Sequence, residues 1–197
     1  MIVKETRIKT GSGHKALAAH VLRGEKNEAI LVLEGSEYWL KDWVKEAKRE
    51  GLTYGLRHIA FNPEQAMSDS ELSDFANRLC EELGADKASR TLILHQKDGK
   101  RHGHLILPEW QHDHVLSSRF SYMRLEKVAR LEEIRLGHPL IAGRHDAAIA
   151  NALRKEGKQS EAELVEALIP GDASLPRAAY TSQARRMTER QAVDLPA

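Results

Sequence analysis

The 197-residue sequence predicts an α+β fold built on a mainly antiparallel sheet, and three observations carry that expectation. Short apolar runs ending in turn residues alternate with amphipathic helical stretches. Asp98-Gly99 stands between two such runs as a hairpin signal, which sets them antiparallel. Hydrophobic residues make up 41% and charged residues 30%, the balance of a globular chain rather than a disordered one.

Taken in order, residues 1–8 alternate weakly and read as a first strand. Gly11-Ser12-Gly13 breaks it, and Lys15–Leu22 follows as a short helix closed by Gly24. Ala29–Leu33 is a buried-type strand ending at Glu34-Gly35. Ser36 caps a helix running to about Glu50, with Leu40, Trp43, Val44 and Ala47 on one face and Gly51 at the C-terminal cap. A strand over 54–61 stops at Asn62-Pro63. Ser68-Asp-Ser-Glu71 is a capping box for a helix that groups Leu72, Phe75, Ala76, Leu79, Cys80 and Leu83, and Gly84 ends it. Strands Arg90–Gln96 and His102–Leu107 flank the hairpin turn. A charged helix over Tyr122–Leu136 and two shorter ones near 145–155 and 160–168 complete a domain over 1–169. Residues 170–197, rich in small residues, Pro and Arg, read as a loosely held tail.

Composition narrows the function. The single cysteine, Cys80, lies on an apolar helix face and excludes an internal disulfide, which points to a cytoplasmic setting. No apolar run approaches the roughly 20 residues of a membrane span, and the N-terminus lacks the apolar core of a signal peptide, so no membrane insertion is expected. A net charge of +1 does not announce a nucleic-acid partner, but residues 87–104 form a local basic strip. It holds Lys87, Arg90, Lys97, Lys100 and Arg101 against Asp98 alone.

Three histidines share that strip: His95, His102 and His104, spaced H-x6-H-x-H. Residues two apart on a strand face the same way, so His102 and His104 project together. A turn at Asp98-Gly99 sets opposite one another residues whose numbers sum to roughly 197, which pairs His95 with His102. Three neutral imidazoles on one patch suit a divalent metal and leave coordination positions open, as catalytic sites do. A phosphate oxygen can take such a position. The plainer alternative is a set of exposed histidines on an outward sheet face. It calls for polar neighbours, whereas Leu92, Leu94, Ile106 and Leu107 flank this set.

The segment Leu92-Ile-Leu-His95-Gln-Lys-Asp98-Gly-Lys-Arg-His102-Gly-His104-Leu-Ile-Leu107 resembles the third motif of VirD2-like plasmid-mobilisation relaxases, which are HUH endonucleases. Arg57-His-Ile-Ala-Phe-Asn-Pro63, followed by an acidic capped helix, is similar to the segment that precedes that motif. The resemblance spans roughly residues 10–145. It implies a central five-stranded antiparallel sheet flanked by helices. It also implies site-specific nicking of single-stranded or supercoiled origin-of-transfer DNA by transesterification, leaving a covalent 5′-phosphate intermediate. Mg²⁺ or Mn²⁺ is the implied ion, bound by His95, His102 and His104. Accessory relaxosome proteins and a secretion coupling protein are the implied partners. Asp98 occupies the place of an acid that some branches carry three residues after the first histidine. Gly103 departs from the pattern, which has a hydrophobe between the paired histidines; small residues such as Ala also suit that position.

The nucleophile departs further. Many relaxases carry a tyrosine on the first helix, and this chain has none in its first 37 residues; His20 stands where it would fall. A neutral imidazole can attack phosphorus to give a phosphoramidate. Glu34, ending the next strand, is the expected partner that orients or deprotonates His20, with Asp98 as the other proton acceptor. Tyr122, opening the helix after the metal motif, is the alternative nucleophile, while Tyr38 and Tyr54 read as packing or surface residues. His58 is either a cleft residue or a satisfied core histidine, and His112 and His114 read as solvated. Lys97, Lys100, Arg101 and Arg119 are expected phosphate contacts. Of Trp39, Trp43 and Trp110, Trp43 fits the core and Trp110 is the expected stacking platform for an unpaired base. A metal-dependent hydrolase without a covalent intermediate and a non-catalytic DNA-binding module are the competing readings.

Overall fold

The computed structural model describes residues 1–11, 13–24 and 27–169. The elements run β1 (Ile2–Lys9), α1 (Gly13–Arg23), β2 (Ala29–Glu34), α2 (Glu37–Arg49), β3 (Tyr54–Asn62), α3 (Asp69–Leu83), β4 (Thr91–Lys97), β5 (Lys100–Pro108), α4 (Ser121–Leu136), α5 (Asp146–Lys155) and α6 (Gln159–Glu166). The five strands form one sheet in the order β1-β3-β5-β4-β2, antiparallel at every pairing. This is the α+β architecture that the sequence predicts. The expected tail, 170–197, lies outside the described residues. No described helix is long and apolar enough to cross a membrane.

The chain divides into two compact units, Met1–Glu132 and a second beginning at Glu133. The first holds the whole sheet. In the second, α5 and α6 follow one another through Gly157, whose φ of 76° favours a residue without Cβ, and Arg154 pairs with Glu166 between the two helices.

Alternation along the strands sorts the sheet into two faces. Ile93, Ile106 and Leu56 pack with Leu17, Ala18 and Val21 of α1 and Leu40 and Val44 of α2, in a cluster that Trp43 joins. On the other face Phe61 meets Phe75 of α3 edge-on, with ring centroids 5.2 Å apart. The local signals hold: Ser36 accepts from the Trp39 N–H, Ser68 and Glu71 form the reciprocal capping box, and Gly84 ends α3 in the left-handed conformation.

One buried element has no local sequence signal. Arg57 of β3 is fully buried, with Glu109 2.9 Å and Glu5 3.3 Å away, and it donates to the carbonyls of Leu116 and Ser117. Arg7 reaches the same Glu109 carboxylate at 2.7 Å. Charge compensation of this kind is what makes burial of a guanidinium tolerable. It ties β1, β3 and the segment after β5 together.

Candidate functional site

The β4–β5 hairpin turns on two left-handed residues, Asp98 (φ 51°) and Gly99 (φ 69°), the conformation of a two-residue hairpin loop. The resulting register pairs His95 with His102 and Ile93 with His104. All three histidines therefore share the face that carries Ile93 and Ile106, where α1 packs. Their ring centroids lie 4.4 Å (His95–His104), 5.2 Å (His95–His102) and 5.3 Å (His102–His104) apart. One ligand nitrogen from each falls within 4.8 Å of the others. His95 and His104 are buried and His102 is half-buried.

The cluster is larger than the sequence motif. His58 on β3 sits opposite Ile106, and its Nε2 lies 2.8 Å from His104 Nδ1, the two rings stacked at 5.1 Å. His104 Nε2 lies 3.1 Å from His95 Nδ1. His95 Nε2 donates to the Val21 carbonyl at 2.7 Å, satisfying one of the orphan acceptors in the last turn of α1. That bond docks α1 on the sheet and brings His20 over the site. The His20 ring centroid is 5.6 Å from His104 and 6.4 Å from His95, and His20 is an exposed residue.

Burial and the neighbouring rings hold the cluster neutral. Desolvation is the first cause throughout: His58 and His102 are pushed down to about 4, His104 to about 2, and His95 is lowered. Neutral imidazole is the ligating form, so the donor set fits a divalent ion. His95, His102 and His104 would hold such an ion.

Of the other expected site residues, Lys97 and Lys100 share the histidine face and the rest fall elsewhere. Glu34 follows an irregularity in β2 and faces Leu92, so it belongs to the face opposite His95. Arg90 grips it at 2.6 and 2.7 Å, donates also to Asn77 of α3, and holds its carboxyl below the usual range. It is not the partner of His20. Asp98 stays at the exposed hairpin tip as a turn former and lies outside the histidine group. Arg101 is drawn into an ion pair with Asp69 at the start of α3. Lys97 and Lys100 face each other at the exposed tip, on the histidine face. Trp110 lies six residues beyond His104, roughly 20 Å along a strand at about 3.3 Å per residue, and bridges to Val115. Arg119 stacks its guanidinium over Phe120 at 5.3 Å, beyond the segment that Arg57 anchors. The Tyr122 hydroxyl reaches the Glu5 carbonyl on β1, an edge strand two places from β5.

Two residues were hidden from a reading of the motif. His58 carries no spacing signal, because its partner lies 46 residues away. Phe61 faces Gly103 across β3–β5, and a Cβ on Gly103 would overlap its ring. Ala therefore does not fit at 103 without displacing Phe61, contrary to the expectation for a small residue there.

A family model described as Relaxase: MobA/VirD2-like, nuclease domain, matches residues 39–137, half of the chain. No curated protein and no solved structure gives a significant match. The matched span holds His58, His95, His102 and His104, the residues that build the cluster, while α1 and His20 precede it. The chain belongs to the MobA/VirD2-like relaxase nuclease family.

Proposed function

We propose that the protein nicks one DNA strand at a plasmid transfer origin and transfers it in conjugative mobilisation, with His20 as the nucleophile. The observation that carries this reading is the position of His20, an exposed residue whose ring lies 5.6 Å from His104, beside a neutral histidine cluster. His95, His102 and His104 would hold the divalent ion. Three imidazoles without a carboxylate favour Mn²⁺ or another first-row transition ion over Mg²⁺, which prefers oxygen donors. Bound there, the ion supplies Lewis-acid stabilisation of charge on a non-bridging phosphate oxygen.

The bare nitrogen of the neutral His20 imidazole attacks phosphorus; the N–P bond forms as the P–O3′ bond breaks. The electron pair leaves on O3′, which takes a proton from water, and the ring's other nitrogen loses its proton to solvent. The exposure of His20 permits that exchange without Glu34 or Asp98 at the ring. Lys97 and Lys100 at the hairpin tip would steady the neighbouring phosphates, and origin DNA is the proposed partner together with relaxosome and secretion coupling proteins.

The test is covalent capture on a supercoiled mobilisable plasmid with Mn²⁺. A denaturation-resistant protein–DNA adduct is expected, labile to acid as a phosphoramidate is, mapping to His20 and absent from His20→Ala and His102→Ala. A label on Tyr122 would transfer the nucleophile's role to that residue. Cleavage without any adduct would instead favour hydrolysis, and binding without cleavage a non-catalytic module.

A further inference from the structure

The hydrogen bonds around His104 form one line: the Val21 carbonyl, His95, His104, His58. Their proton positions can be deduced from one end. A carbonyl only accepts, so His95 carries its proton on Nε2 and its Nδ1 is bare. The bare Nδ1 accepts from His104, which must carry its proton on Nε2. His104 Nδ1 is then bare and accepts from His58 Nε2–H. Each ring is neutral, as burial dictates, and every bond has one donor.

This arrangement cannot persist in a loaded site. The His95 nitrogen free to ligate is Nδ1, and the His104 nitrogen beside it is Nε2, which carries the proton in this hydrogen-bonded line. We propose that His58 is a positioning residue for the metal centre: its Nε2 proton passes to His104 Nδ1, His104 Nε2 gives its proton to water and His58 Nδ1 takes one from water, so that His104 presents a bare Nε2 and donates its Nδ1–H to His58. The rings keep their net charge through the exchange. Stacked at 23° between ring planes, His58 also fixes the plane in which His104 points. An outer partner that orients a ligating histidine in this way is typically worth 10–100-fold in metal affinity. The inference rests on the metal site proposed above, but not on the nucleophile or the reaction.

The experiment uses the full chain. With ¹⁵N-labelled histidine and diamagnetic Zn²⁺, NMR should report His104 as the Nε2–H tautomer in the metal-free protein and the Nδ1–H tautomer when loaded, with His95 Nε2–H in both. This measurement needs no variant. Calorimetry with Mn²⁺ should show His58→Leu weakened by 10–100-fold. His58→Gln, whose amide oxygen reaches where Nε2 stood and can accept, should recover most of that loss. An unchanged His104 tautomer, or His58→Leu binding Mn²⁺ as wild type does while His102→Ala fails to, overturns the inference and leaves the metal site intact. Absence of binding by the wild type overturns both. Normal binding and tautomer exchange without a DNA adduct would sink the nicking reaction alone.

Discussion

At position 103 the strand carries glycine because Phe61, its partner across β3–β5, occupies the volume a side chain would need. Phe61 is itself buried against Phe75, so it cannot swing away without opening the core. Overpacking of this kind typically costs about 1–3 kcal/mol. Gly103→Ala should therefore lower stability by roughly that amount in a urea titration. The double variant with Phe61→Leu should be less destabilised than the two single changes added together, because the smaller side chain makes room for the new methyl. Strict additivity of the pair would show that the two residues do not compete for one space. Metal affinity serves as a second readout, since a displaced Phe61 pushes on the strand between His102 and His104.

The hairpin is the element that assembles the site, and its turn separates two roles for Asp98. With φ at 51°, Asp98 is in the left-handed region that Asn and Asp tolerate better than other side chains. If it serves the turn alone, Asp98→Asn should leave Mn²⁺ affinity and nicking unchanged, while Asp98→Val should destabilise the chain by about 1–2 kcal/mol. A tenfold drop in Mn²⁺ affinity for Asp98→Asn would show instead that its carboxylate reaches the ion. This turn also explains how much of the site was legible. Asp98-Gly99 fixes the register, the register pairs His95 with His102, and strand alternation adds His104, all within ten residues of chain. The helix caps at Ser36, Ser68 and Gly84 were legible for the same reason, being local. What local pattern cannot give is which strands lie side by side. Because β3 inserts between β1 and β5, His58 meets His104, Phe61 meets Gly103, and Arg57 meets both Glu5 and Glu109. Glu34 was misplaced for a related reason: an irregularity near the end of β2 shifts its register and gives it to Arg90 on the other face.

On the scale of the whole molecule, the neutral histidines make stability depend on acid. A free imidazole titrates near 6.5, whereas His58 and His102 are pushed down to about 4 in the folded chain. Between those values the unfolded chain binds protons that the native state refuses, so the histidine contribution to stability is complete above pH 6.5 and is lost as pH falls toward 4. Carboxylates held low by ion pairs, such as Glu34, exert their effect below about 4.5, so the slope between pH 6.5 and 5 belongs to the imidazoles together with the Met1 amine, which burial lowers to about 5. Denaturant melts across that window should show wild-type stability falling with acid and a flatter profile for the double variant His58→Gln/His102→Ala. Metal acts on the same balance from the other side, because a ligand that binds only the folded state stabilises it by mass action. Mn²⁺ at a hundredfold excess over its dissociation constant should add about 2.7 kcal/mol at pH 7.5. The gain should shrink as the pH approaches 5 and protons compete for the same nitrogens, and it should vanish in His102→Ala. A gain of equal size in His102→Ala would mean that the stabilising ion binds somewhere other than the histidine cluster.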